Sequence, residues 1–82
     1  MILVDVYIPS IDDSYDFMLD ENVPVERIIA EISEMVSRKV KSPIPHNRQD
    51  FMMCSMDRGE ALVKDETLHE NGIRDGNRLM LV

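Results

Sequence analysis

Residues 24–39 read Pro-Val-Glu-Arg-Ile-Ile-Ala-Glu-Ile-Ser-Glu-Met-Val-Ser-Arg-Lys and carry the most regular hydrophobic pattern in the sequence. Apolar side chains recur every three or four positions and form one stripe at the period of an α-helix. Proline suits the first turn of a helix, where its missing N–H would have no partner. Acidic residues precede basic ones, as the helix dipole favours. We predict a helix over 24–39 whose buried face consists of Val25, Ile28, Ile29, Ile32, Met35 and Val36.

Two strands are predicted before the helix. Residues 2–8 are β-branched and aromatic, and residues 14–19 alternate between apolar and polar side chains. The short turn at residues 9–13 predicts that these strands form an antiparallel hairpin. Alternation of side chains places on the face towards the helix Ile2, Val4, Val6, Ile8, Tyr15, Phe17 and Leu19. The same rule places on the opposite face Leu3, Asp5, Tyr7, Asp16 and Met18.

Three further strands are predicted after the helix. Two prolines prevent residues 42–50 from continuing the helix. The strands are expected at residues 51–56, 60–63 and 78–82. A short turn or one-turn helix is expected over 67–73, and turns at 57–59 and 75–76. The order β-β-α-β-β-β, with a mixed sheet packed on one amphipathic helix, predicts a single α+β domain over residues 1–82. In such a sheet the first and last strands pair in parallel at the centre.

Charge and hydropathy restrict the class of partner. Sixteen acidic and nine basic residues give a formal net charge of −7, which repels phosphate backbones and argues against nucleic-acid binding. No apolar run approaches the roughly 18–20 residues needed to insert directly into a membrane. The first five residues lack the basic region of a secretory signal. These observations indicate an intracellular protein.

The second half of the sequence carries a family resemblance. The run Thr67-Leu68-His69-Glu70-Asn71-Gly72-Ile73, followed by Asp75-Gly76 and Leu79-Met80-Leu81, resembles ubiquitin and its relatives. Within that superfamily the chain is most similar to the YukD/EsaB family, small ubiquitin-like proteins of bacterial type VII secretion. The shared features are the helix start Pro24-Val25-Glu26-Arg27-Ile28-Ile29 and the ending from Ile73 to Leu81. The resemblance implies a ubiquitin-like β-grasp fold and a cytoplasmic accessory protein that contacts membrane components of a secretion apparatus.

One feature of ubiquitin is not shared. Conjugation needs a flexible tail that ends in Gly-Gly, because an enzyme must reach and activate the terminal carboxylate. This sequence ends in Leu-Met-Leu-Val, within the last predicted strand. We therefore expect a protein that is not conjugated to others.

No catalytic, cofactor-binding or metal-binding residue is predicted. Cys54 is the only cysteine and lies in an apolar stretch, so we expect a packed thiol and no thiolate zinc site. The four aspartates within residues 12–20 lack the glycine and the distal glutamate of a calcium loop. His46 and His69 are isolated, and the serines lack the context of a nucleophile.

The sheet face turned away from the helix is the predicted partner-binding site. If the last strand buries Leu79 and Leu81, then Met80 and Val82 point outward. Methionine adapts its shape to partners, and contiguous apolar patches mark interaction surfaces. The predicted partner-binding residues are Leu3, Tyr7, Met18, Met56, Met80 and Val82.

The sequence allows two registers for strand 51–56. Aligning Gly59 and Thr67 with the ubiquitin pattern turns Met56 outward. A shift of one residue would instead bury Met52, Cys54 and Met56.

The leading interpretation is a non-conjugated, non-enzymatic ubiquitin-like interaction module without cofactor, acting as a cytoplasmic accessory of a type VII secretion system. Two alternatives remain. One is a small non-catalytic ubiquitin-like subunit of a multicomponent monooxygenase. The other is a self-associating module, a homo-oligomer, because an exposed apolar sheet face can pair with its own copy.

Overall fold

The computed structural model of the protein describes residues 1–40 and 51–82. Its elements are strand β1 (Ile2–Ile8), a 3₁₀ turn (Pro9–Ile11), strand β2 (Asp13–Leu19), helix α1 (Val25–Val40), and strands β3 (Met53–Ser55), β4 (Glu60–Ala61) and β5 (Arg78–Leu81). The predicted order is confirmed. Strands β3 and β4 are shorter than the predicted spans 51–56 and 60–63. The prediction for residues 42–50 falls outside the described residues.

The five strands form one mixed sheet in the order β2-β1-β5-β3-β4. The first and last strands, β1 and β5, run parallel at the centre, as predicted, and the other neighbouring pairs are antiparallel. The helix α1 covers one face of this sheet with a stripe of buried aliphatic side chains. The architecture is therefore the α+β, ubiquitin-like β-grasp fold.

The buried face of α1 differs from the prediction at one position. Met35 was expected in the stripe, but its side chain is 42% exposed. Ser33 comes two residues before Met35, which corresponds to a rotation of about 200° around the helix axis. Ser33 therefore lies on the opposite margin of the stripe, and its polar side chain is buried. The Ser33 hydroxyl donates a hydrogen bond of 2.7 Å to the carbonyl of Ile29. Burial of this hydroxyl is therefore compensated locally, and the helix presents Ser33 rather than Met35 to the interior.

A turn that follows β4 fixes Leu68 in the core. The N–H of Thr67 donates to the Glu70 carboxylate at 2.9 Å, and the N–H of Glu70 donates to the Thr67 hydroxyl at 3.0 Å. This reciprocal pair has the geometry of a capping box. The N–H of Ile73 then donates to the carbonyl of Leu68 at 2.9 Å, which closes the turn. Leu68 itself is fully buried.

Replacing Thr67 with alanine is expected to lower the free energy of unfolding by about 1 kcal/mol, because the N–H of Glu70 loses its acceptor. Urea unfolding followed by far-UV circular dichroism measures the change. His69→Ala, at an exposed position of the same turn, is the matched control and should change stability by less than about 0.5 kcal/mol. Equal stability of the Thr67 variant and the wild type would show that the capping box does not stabilise the turn.

Candidate functional site

The face of the sheet opposite α1, here called the open face, carries a row of neighbouring side chains across three strands. Tyr7 of β1 is the register partner of Met80 of β5, and Met80 is the partner of Cys54 of β3. All three side chains are half-buried. Further along the same face, Met52 and Val82 exchange backbone hydrogen bonds of 2.7 and 2.9 Å. We call these five residues, Tyr7, Met80, Cys54, Met52 and Val82, the central strip.

The register of β3 decides which of its side chains belong to this face. Met53 and Ser55 are buried, 1% and 2% exposed, and pair with Leu81 and Leu79 of β5. Met56 consequently points away from the core, and its side chain is 47% exposed. The register in which Met56 is buried is therefore wrong.

The prediction of a packed thiol at Cys54 is corrected by the same register. Because Met53 and Ser55 occupy the core positions of β3, Cys54 lies between them on the opposite face. Its side chain is free of disulfide bonding and partly exposed. Cys54 thus contributes to the open face rather than to the core.

A charged row divides the six predicted binding residues into groups. Asp16 is the register partner of Asp5, and Asp5 is the partner of Arg78. This row crosses the open face between the central strip and the pair Leu3–Met18, which are partners of each other. Leu3 and Met18 are 42% and 56% exposed.

Met56 lies at the β3 end of the charged row, since its N–H donates to the carbonyl of Arg78 at 2.9 Å. The structure therefore brings Tyr7, Met80 and Val82 into the central strip. It places Met56 beside the strip and the Leu3–Met18 pair apart from it. The open face is an apolar surface crossed by one line of charge.

The hydroxyl of Tyr7 is held at the margin of the strip. It donates a hydrogen bond of 2.9 Å to the carboxylate of Asp12, whose backbone adopts the left-handed conformation with φ 48°. That hydrogen bond is the main reason why the pKa of Tyr7 is raised, with smaller contributions from desolvation and from the negative charge of Asp12. The phenol is therefore neutral at physiological pH, and Tyr7 contributes an uncharged aromatic ring to the strip.

The acidic residues near the hairpin turn have structural partners within the chain. Asp13 accepts hydrogen bonds from the Tyr15 hydroxyl and from the N–H of Ser14. Asp20 accepts from the N–H of Asn22 at 2.9 Å. Within residues 1–40 and 51–82, no group of three or more His, Cys, Asp or Glu side chains is arranged to hold a metal ion. In that same part of the chain, no helix is both long and apolar enough to cross a membrane.

Three residues of the open face were missed by the sequence prediction. Met52 and Cys54 follow from alternation as soon as Met56 is placed outward, because residues two apart in a strand share a face. Arg78 follows in the same way from Met80. Met52 and Cys54 were missed because the register of strand 51–56 was undecided, whereas Arg78 could have been placed by alternation alone.

The mixed sheet in the order β2-β1-β5-β3-β4, with helix α1 across one face, is the architecture of a ubiquitin-like domain. Residues 3–81 match the family described as "WXG100 protein secretion system (Wss), protein YukD". The chain belongs to this YukD family. No curated protein sequence matches the chain significantly.

Solved structures similar to the chain have the same fold. The ubiquitin-like domain of EccD5 from Mycobacterium xenopi superposes with a TM-score of 0.76 at 24% identity, covering 99% of this chain and 91% of that one. A chain of the MycP5-free ESX-5 inner membrane complex gives a TM-score of 0.78 at 23% identity; 99% of this chain and 20% of that longer chain are covered. The N-terminal ubiquitin-like domain of the 4931431F19Rik protein gives 0.76 at 27% identity, covering 99% and 72%.

Proposed function

We propose that the protein is a non-catalytic ubiquitin-like module that binds a protein component of a type VII secretion system through its open face. The observation that carries this proposal is the central strip. Its side chains form one row from Tyr7 through Met80 to Cys54 on the face opposite α1, and each of the three is partly exposed. Binding is non-covalent, and the module acts as one domain in the cytoplasm.

The composition of the open face supports a protein partner. Fully buried interface centres are apolar and rich in methionine and aromatic side chains, while charged side chains lie at the rim. The central strip has this composition, with one tyrosine, two methionines and one valine around Cys54. The charged row of Asp16, Asp5 and Arg78 borders it and would fix the orientation of a partner.

Membership of the YukD family supports the choice of a secretion apparatus. The likeness to a domain of EccD5 and to a chain of an ESX-5 inner membrane complex supports a partner within the membrane-bound part of such an apparatus. We place the contact on a portion of that partner outside the bilayer, because a soluble sheet face with a charged row favours an aqueous interface.

Affinity capture of the tagged protein from its native host, in mild detergent, tests the proposal. Mass spectrometry of the captured material is expected to recover a secretion ATPase or its membrane partners, enriched over a tag-only control. Recovery of subunits of a multicomponent oxygenase would contradict the proposal and favour the monooxygenase alternative. Recovery of the untagged chain alone, together with a concentration-dependent mass in sedimentation, would favour self-association.

A further inference from the structure

The negative charge of the protein is concentrated in its first 26 residues. That segment contains seven acidic side chains and no lysine, arginine or histidine. Residues 27–82 contain nine acidic and nine basic side chains. The formal net charge of −7 therefore belongs to the β1–β2 hairpin and the start of α1, and the remaining chain is balanced.

The strand β2 forms one edge of the sheet. In the strand order it is terminal, and among residues 1–40 and 51–82 no strand pairs with its outer side. The carbonyl of Leu3 accepts from the N–H of Gly76, and the N–H of Asp5 donates to Asn77. Odd-numbered residues of β1 thus direct their backbone groups towards β5, and even-numbered residues direct theirs towards β2.

This alternation identifies the backbone groups at the outer edge. Tyr15 and Phe17 are register partners of Val6 and Val4, so their N–H and C=O groups bond to β1. Asp16 and Met18 consequently direct their N–H and C=O groups away from β1, to the outer edge. The N–H of Ser14 points to the same side, where the Asp13 carboxylate accepts it at 2.9 Å.

The side chains along the edge differ on the two faces. Tyr15 and Phe17 point towards α1, are only partly buried, and their ring centroids lie 6.3 Å apart. Asp16 is exposed on the open face. Exposed edges are usually blocked by charged side chains, especially lysine, by proline or by a bulge. The charged side chains of β2, Asp13 and Asp16, are both acidic, so they disfavour an acidic strand at this edge and favour a basic one. In β2, which has seven residues, none is lysine or proline, and its pairing with β1 is continuous.

We propose that the outer edge of β2 binds an extended, basic segment of a protein partner by β-strand addition. A residue opposite Asp16 would lie on the open face, where a lysine or arginine meets the carboxylate. Its two neighbours would lie beside Tyr15 and Phe17, where apolar side chains extend the layer under α1. The segment therefore alternates basic and apolar residues. A second copy of β2 fits poorly, because each copy carries the acidic hairpin and the two hairpins would repel each other.

This inference does not depend on the proposed function, since it concerns the edge of the sheet and not the central strip. Both surfaces are adjacent on the hairpin, so one partner or two different partners can occupy them. The test below separates them, because it reads the edge and the strip by different amide signals.

A nitrogen-15 NMR titration of the full chain tests the proposal, with the peptide acetyl-Lys-Val-Lys-Ile-Lys-Val-Lys-amide as the probe. We expect saturable shifts of the Asp16 and Met18 amides, and none with the peptide in which glutamate replaces lysine. Asp16→Pro removes an outward N–H and spares the β1–β2 ladder, so it should weaken binding about tenfold or more. Asp16→Thr keeps that N–H and removes the charge, so it should weaken binding by up to about fivefold.

Near-wild-type Val4 and Leu19 amide signals in both variants would show that the hairpin remains folded. Absence of shifts at Asp16 and Met18 up to millimolar peptide would overturn the proposal, as would binding that survives Asp16→Pro. Shifts confined to Tyr7 and Met80 would also overturn it, because the peptide would then occupy the central strip. If the edge amides shift with protein concentration in the absence of peptide, the edge binds a second copy of the chain and not a basic segment of a partner.

Discussion

Replacing Met80 with aspartate is expected to weaken binding of the secretion partner by at least about tenfold. Met80 lies at the centre of the central strip, with Tyr7 on one side and Cys54 on the other. Residues at the centre of an interface carry most of its binding energy, because the surrounding contacts exclude water from them. A carboxylate at this position would have to lose its hydration without gaining a partner. The measurement is the amount of partner captured at fixed concentrations of wild-type and variant protein.

Two further methionines provide the controls for Met80→Asp. Met56→Asp changes a 47% exposed residue beside the strip and should also weaken binding, with less risk to the fold. Met35→Asp makes the same chemical change at a 42% exposed position on α1, away from the open face. It should retain binding. Equal retention of the partner by all three variants, each shown to be folded by circular dichroism, would show that the open face does not bind it.

Leu68→Ala is expected to have the largest effect on stability, about 3 kcal/mol. The side chain is fully buried in the core cluster with Ile73, Leu79 and Leu81, and the capping box of Thr67 and Glu70 fixes the turn around it. Truncation would leave a cavity that this anchored turn cannot easily fill. A chain of this length has a total stability of about 4–12 kcal/mol, so the loss is a large fraction of it.

Thermal unfolding checks the prediction for Leu68. A loss of about 3 kcal/mol corresponds to a fall in Tm of roughly 12–24 °C for a domain of this size. Val63→Ala, at a 47% exposed position in the neighbouring segment, is the matched control and should change Tm by only a few degrees. A fall of less than about 4 °C for Leu68→Ala would mean that the turn relaxes around the smaller side chain, against the anchoring described above.

The order of elements could be predicted because its signals are local. The stripe from Val25 to Val36 has the helical period, and the strand β2 alternates along its own length. The exception is Met35, which lies at the margin of the stripe, where one residue's exposure depends on the packing of the helix as a whole.

The arrangement of the candidate site could be predicted only in part. Outward positions of Leu3, Met18 and Met80 follow from alternation within single strands. The register of β3 depends on its pairing with β5, which is a contact between distant parts of the chain, so periodicity left two possibilities. The relative shift of β1 and β5 is equally non-local. That shift places Asp5 beside Arg78 and separates the Leu3–Met18 pair from the central strip.

The division of the open face has a consequence for partner choice. An apolar surface without charges would accept many partners, whereas a line of charge across it penalises a partner that presents the wrong sign. In the proposed complex, Asp5, Asp16 and Arg78 would therefore supply selectivity, and the central strip would supply most of the buried apolar area.

Site-specific photocrosslinking in the native host tests most directly whether the open face contacts the secretion apparatus. A photoreactive amino acid is placed at Met56, on the open face, and in a second strain at Glu31, which is exposed on α1. We expect an adduct between position 56 and a component of the secretion apparatus, and no such adduct from position 31. An adduct from position 31 alone, or equal yields from both positions, would contradict this expectation.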